Sequence, residues 1–248
     1  MVNMLKTISV VMNKELKVHF VTPFTLILIS ISLIITGYFF YTDIIYFSLW
    51  NGRYINDFWS LFFNDVRFVL MIVTPVLTMR LFAEEKRHGT IELLLTFPLN
   101  RLGIVIAKYI VSVLIFMIIL IISMIIYPLL LSFIWEIDPK ILISGTIGLF
   151  LLGASLISIG LFFSVLSNSQ LFAAIGTYGV TLFLWYITWN EAVANEKIII
   201  FLNQISLFDH FMNFSEGVID TKDIVFYICF ILMFVFLTHK YVTFESAK

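Results

Sequence analysis

Residues able to do acid–base, nucleophilic or metal chemistry are few in this chain and far apart. Its histidines are His19, His88, His210 and His239, and no H-E-x-x-H or Cys/His ligand spacing joins them. Cys229 is the single cysteine, so an intrachain disulfide is excluded and the thiol reads as a small apolar side chain. Asp209–His210 is the one carboxylate–histidine neighbour pair. Adjacent residues on a helix point in different directions, so the pair reads as ordinary surface rather than a catalytic dyad. No serine sits in a G-x-S-x-G context, and no glycine is followed by lysine and then Ser or Thr. No catalytic, cofactor or metal residues are therefore assigned, and the chain has no phosphate loop for ATP. The polar chemistry that exists gathers in Phe82–Arg101, FAEEKRHGTIELLLTFPLNR, a charged island between two greasy segments.

The segments around that island set the class. Of 248 residues, 61% are hydrophobic and 12% charged, against about 25% charged in soluble domains. A soluble core of this length cannot hide so much apolar surface. Runs of about 20 apolar residues cross a bilayer as helices, and the runs here are continuous rather than alternating, which argues against a barrel. The expected fold is all-α and integral to a membrane, a single permease-like domain over residues 1–248 with six spans. These are Val21–Phe40, Phe68–Leu81, Leu102–Trp135, Ile141–Ser167, Leu171–Trp189 and Ile224–His239. The second and last are short, so their ends should extend into the flanking loops. Pro128 is expected to kink the third or mark its exit into the interface.

Loop charge orients the spans. The side with both termini would hold Lys6, Lys14, Lys17, Arg80, Lys86, Arg87, Arg101, Lys108, Lys240 and Lys248, leaving Arg53, Arg67, Lys140, Lys197 and Lys222 opposite. Positive charge favours the cytoplasm, so both termini are expected inside. Arg80 and Lys108, near inner span ends, are expected to snorkel to the interface. Trp50, Trp59, Trp135, Trp185 and Trp189 all fall at or beyond outer ends, as an interfacial belt would. Charge within the spans is scarce, which disfavours a proton relay or ion pathway.

Local signals refine the connectors. In residues 1–20, Leu5, Ile8, Met12 and Leu16 recur at helical spacing with Lys6, Asn13 and Lys17 on another face, predicting an interfacial amphipathic helix. In the 82–101 connector, Leu81–Arg87 should continue the second span as a helix, and Gly89 permits a sharp turn. Thr90 is placed to cap a short helix, Ile91–Phe97, that Pro98 ends, and Asn100 to cap the third span. In the fourth span Ser144 with Gly148, and Ala154 with Ser158, form small-xxx-small pairs for close helix approach, read first as packing within one subunit. The fifth span adds Ala173, Ala174, Gly176 and Gly179. The 190–223 segment is too long for a tight turn, and Ile198–Ile205 is expected to form a re-entrant or interfacial helix.

EEKRHGTIELLLTFPLNRLGIVIAKYI resembles the connector of type-2 ABC export permeases, through Glu84, Glu85, Arg87, Gly89, Thr90, Glu92, Leu93, Leu94, Pro98 and Lys108. ISLFDHFMNFSEGVID is similar to the same family's outer segment, through Ser206, His210, Phe211, Phe214, Gly217, Val218 and Asp220. Within the family the chain looks most like the gliding-motility permeases.

The resemblance implies a transport subunit of a bacterial cytoplasmic membrane that pairs with a second permease, identical or homologous, above two copies of an ATP-binding subunit. ATP and Mg would bind those subunits. The connector would be a coupling helix seated in an ATPase groove. Glu84, Glu85, Arg87, Thr90 and Glu92 would supply polar contacts, Ile91 and Leu94 apolar ones, and Gly89 the bend. Ser206, His210, Phe211, Phe214 and Gly217 would belong to an outer gate that caps the pathway. The alternative is an ABC-type scaffold that passes ATPase motion to envelope proteins without moving a solute.

Overall fold

The computed structural model describes residues 4–49, 55–90, 100–133, 138–188 and 204–245. Among these the chain is helical, with no strand. The helices are α1 Met4–Val21, α2 Pro23–Leu49, α3 Ile55–Thr78, α4 Ala83–Arg87, α5 Arg101–Ser132, α6 Pro139–Leu166, α7 Gln170–Thr188, α8 Asp209–Ser215 and α9 Thr221–Glu245. Among the described residues, five stretches are long and apolar enough to cross a membrane: Pro23–Leu49, Phe58–Arg87, Arg101–Ser132, Pro139–Leu166 and Thr221–Glu245. The helix matching the expected Leu171–Trp189 span, α7, is not among the five. The second and last spans do lengthen into their flanks.

Local chemistry sets the helix ends. Residues before proline avoid the α region, and the chain breaks between α1 and α2 at Thr22–Pro23. Asn100 caps α5 as expected, its Oδ1 accepting from the amides of Leu102 (3.0 Å) and Gly103 (3.4 Å). Asp138 caps α6 in the same way, with Pro139 in the first turn. α5 runs through Pro128 to Ser132, so the helix does not end at the proline.

α6 is the central strut. It packs on α3, α5, α7, α8 and α9, and 72% of its most apolar window is buried, against 17% for α9. Its small residues let aromatic rings approach. A Cβ on Gly145 would enter the ring of Phe63, on Gly153 that of Phe116, and on Gly148 the side chain of Phe214. Gly160 lies against Thr78. The small-residue stripe therefore serves packing within one chain, at least at these four positions. The buried hydroxyls of Thr36, Thr74, Thr78, Ser112, Ser123 and Ser155 donate to carbonyls one turn back, so they add no unsatisfied polar group to the apolar interior.

Two sequence expectations change. Trp59 is fully buried, with its ring between Phe58, Phe62 and Phe63, and not in an interfacial belt. Trp50, Trp135 and Trp189 lie outside the described residues. The face α1 turns to the protein is Thr7, Val11, Glu15 and His19, with Ile8, Met12 and Leu16 half-buried beside it and Leu5 73% exposed. Glu15 faces inward toward the buried Lys108 ammonium, and His19 toward Thr25, whose Oγ1 lies 3.1 Å from its Nδ1. By contrast α2 and α9 leave Ile27, Ile31, Ile34, Ile228, Leu232 and Phe236 uncovered, as suits helices facing lipid.

Alanine at Gly153 overlaps Phe116, and such overpacking costs about 1–3 kcal/mol. That exceeds the gain of about 1 kcal/mol for Gly→Ala in a helix. Gly179 has nothing within 4 Å of its would-be Cβ. In denaturant titration in detergent, Gly153→Ala should unfold earlier than wild type, and Gly179→Ala should not.

Candidate coupling site

The connector begins where α3 stops. After Thr78 the backbone leaves regular helix for four residues before α4 starts at Ala83. Ser164, on α6, bridges the break. Its hydroxyl oxygen accepts from the amides of Phe82 (3.0 Å) and Ala83 (3.2 Å) and donates to the Met79 carbonyl (3.3 Å). The connector thus continues the span, as expected, but through a turn. Gly89 then takes φ +68°, a left-handed conformation that only glycine adopts cheaply. Thr90 is helical, and its hydroxyl donates back to the Glu85 carbonyl at 3.2 Å. Ile91, Glu92 and Leu94, with the Ile91–Phe97 helix, lie outside the described residues.

The charged side chains of α4 turn inward. Lys108 Nζ lies 2.9 Å from Glu15 Oε1 and 3.0 Å from Glu85 Oε2. It also donates to the Leu81 carbonyl and sits 5.0 Å from the Phe82 ring centroid. Its side chain is 1% exposed. Lys14 closes the cluster, 2.7 Å from Glu85 Oε1 and 3.6 Å from Glu15 Oε1. Two cations and two carboxylates from α1, α4 and α5 so form one network. Burial alone would lower the Lys14 pKa, but the Glu85 and Glu15 carboxylates outweigh it and hold it above the ordinary 10.5. On the other flank, Lys86 pairs with Glu245 of α9 at 2.7 Å.

This corrects two sequence readings. Lys108 does not snorkel, because two carboxylates and a carbonyl hold its ammonium inside the protein. Glu85 faces Lys108 and Lys14 rather than standing free for a partner. Arg87, His88, Gly89 and Thr90 remain exposed, and Glu84 is half-exposed. Between α1 and the connector lies a cleft of about 250 Å³ lined by Lys14, Glu15, Arg80, Glu84, Glu85 and Lys108, among others. Beside it Arg80 stacks on Phe24, with its guanidinium carbon 3.5 Å from the ring centroid.

At the opposite end of the bundle sits the segment expected to form the gate. Phe211 and Phe214 are fully buried, and Ser206 and His210 nearly so. Ser206 Oγ accepts from the Asp209 amide at 3.2 Å. Gly217 turns with φ +90° against Ile141. The Asp209–His210 pair is neither ordinary surface nor a dyad. His210 Nδ1 bonds Asp223 of α9 at 2.6 Å, its ring stacks on Phe226 at 4.0 Å, and Asn213 Nδ2 donates to the other Asp223 oxygen at 2.8 Å. Tyr227 donates to the Leu207 carbonyl at 2.6 Å and Ser144 to that of Phe214 at 2.9 Å. Arg67 lies 5.5 Å from the Phe208 ring centroid and 5.9 Å from that of Phe211. Spacing gave no signal for the His210–Asp223 pair, since the two are 13 residues apart on different helices. Most of the expected Ile198–Ile205 helix lies outside the described residues.

The ABC-2 family transporter protein profile matches residues 9–248, nearly the whole chain. The chain belongs to that family. No curated protein matches it. With five helices apolar and long enough to span, this ABC-2 protein is a multi-pass membrane protein, and its family is a transport subunit rather than a catalyst. ABC-2 permeases normally work with an ATP-binding subunit. The buried network occupies the base of the connector between α3 and α5.

Removing the Lys108 cation while keeping Glu15 and Glu85 leaves buried charge uncompensated, which costs about 3–5 kcal/mol. Lys108→Met should therefore unfold far earlier in denaturant, and adding Glu15→Gln and Glu85→Gln should recover most of the loss. His19 gives a pH test. Burial lowers its pKa below 6.5. Lys108 and Arg80 add to that shift, and the Glu15 and Glu84 charges oppose it. The unfolded chain therefore takes the proton first, and docking of α1 weakens as pH falls below about 6.5. Amide exchange of Met4–Val21, corrected for intrinsic rates, should rise between about pH 7.5 and about pH 5.5. His19→Gln should flatten the rise.

Proposed function

We propose that this ABC-2 protein is the membrane-spanning subunit of an ATP-driven exporter. It turns the motion of a partner ATPase into substrate movement across a bacterial cytoplasmic membrane. In this reading α7 is the fifth of six spans, and the connector and both termini are cytoplasmic. Two ATP-binding subunits carry ATP and Mg, and a second permease completes the pathway. The likeness to gliding-motility permeases is the narrowest form of the proposal.

One observation carries it. The connector has an anchored base and an exposed tip. Glu85, Lys86 and the Ser164-bound turn fix the base to α1, α5, α6 and α9, while Arg87, His88, Gly89 and Thr90 project. A tip that only carried partner contacts on a floppy loop would bend under load. A tip on a bolted base transmits displacement to the spans. Charged groups at the rim of an interface set partner choice and on-rate, which suits Arg87 and His88. Apolar contacts from Ile91 and Leu94 would supply more of the affinity.

Co-purification with the ATP-binding subunit tests the reading. Arg87→Glu with His88→Glu should weaken association about tenfold while leaving the unfolding midpoint at the wild-type value. Wild-type association by that variant would remove the docking role from the connector tip.

A further inference from the structure

One helix is tied by polar contacts at both ends, and each tie grips a short helix, α4 at one end and α8 at the other. At the connector end, Glu245 of α9 pairs with Lys86, whose side chain is 5% exposed and whose Nζ lies 5.1 Å from the Tyr241 ring centroid. At the far end, Asp223 of α9 binds both His210 and Asn213, and Tyr227 binds the Leu207 carbonyl. At 1.5 Å per residue, the helix from Asp223 to Glu245 sets the two ties about 33 Å apart.

One other helix reaches both places and differs in kind. α6 also holds both ends, through Ser164 at the connector and Ser144 at the far segment. It is wedged on several sides by Phe63, Phe116 and Phe214 at its glycines, so it cannot slide without overlap. α9 is largely uncovered along its length, and its ties are ion pairs and hydrogen bonds that tolerate small displacements. If the connector shifts against the fixed α6, Lys86 carries the end of α9 with it. The helix is stiff, so the shift reappears at Asp223 and Tyr227.

We propose that Lys86, Glu245 and Asp223 are positioning residues that couple the connector, through α9, to closure of the far segment 204–217. This rests on the proposed function only for what moves the connector. The coupling itself belongs to the permease chain alone, and reciprocity requires that disturbing either end loosens the other by the same free energy.

Hydrogen exchange on the chain in lipid nanodiscs, without any ATPase, tests it. Glu245→Lys should speed exchange in Asp209–Ser215 at least about fivefold, the low end of typical coupling, and Lys86→Glu in the same chain should restore protection. Asp223→Asn should speed exchange in Ala83–Arg87 in return. Exchange in the α6 stretch 148–160 should stay at the wild-type level throughout. The proposal is overturned if exchange rises only at the mutated end, if the charge swap fails to restore it, or if α6 exchanges faster as well, which would mark a merely structural loss. Glu245→Gln is the milder variant should Glu245→Lys fail to fold, and it is read against the same outcomes. Loss of ATPase binding by the Arg87 and His88 variant is a separate measurement, so either reading can fail while the other stands.

Discussion

The connector end of this protein depends on one buried ammonium. Lys108 sits on α5, inside a bundle whose other side chains are mostly apolar. Taking a lone cation out of water costs several kcal/mol even after relaxation. The structure meets that cost by bringing Glu15 from α1 and Glu85 from α4 to it, with the Leu81 carbonyl as a third acceptor. Those partners dictate the rest of that end. α1 must lie along α5 with its Glu15 and His19 face inward. The chain must leave α3 at the right height for Leu81 to present its carbonyl and Glu85 its carboxylate. Ser164 completes that turn by serving the amides that the broken helix leaves free.

The middle of the bundle obeys a different constraint, which is volume. Helices in lipid gain little from hydrophobic attraction to one another, so close packing has to hold them together. α6 achieves this with glycines that receive rings of Phe63, Phe116 and Phe214. The aromatic cluster of Phe40, Phe58, Trp59, Phe62 and Tyr127 fills the space between α2, α3 and α5 in edge-to-face and tilted contacts. Such a centre is rigid. In the coupling proposed above, displacement at the connector therefore travels around it, along α9, whose ends are held by polar bonds.

The far end repeats the logic of the connector end with different groups. A short helix, α8, buries Phe211 and Phe214, and the Leu207 carbonyl before it, its Phe214 carbonyl and His210 are met by Tyr227, Ser144 and Asp223 from α6 and α9. Both ends thus combine irregular backbone with polar side chains from the long helices. Backbone away from water must find partners wherever it leaves the helix. These are also the places where a small movement changes which bonds are made, which suits the roles of handle and gate proposed for them.

The sequence alone determined the features that local chemistry controls. Composition and continuous apolar runs set a helical membrane protein, and Asn100 and Gly89 marked a helix start and a turn because caps and left-handed glycines act within a few residues. The connector stood out because charge is rare elsewhere. Tertiary structure decided which way the charged side chains face. Glu85 and Lys86 look like surface in any window, since they sit in the uniformly polar run Glu84–His88. Their partners Lys14, Lys108 and Glu245 come from other helices, as Asp223 does for His210. Period and spacing report which residues share a helix face. Whether that face meets lipid, water or a buried counter-charge depends on helices distant in the chain, and only the assembled bundle settles it.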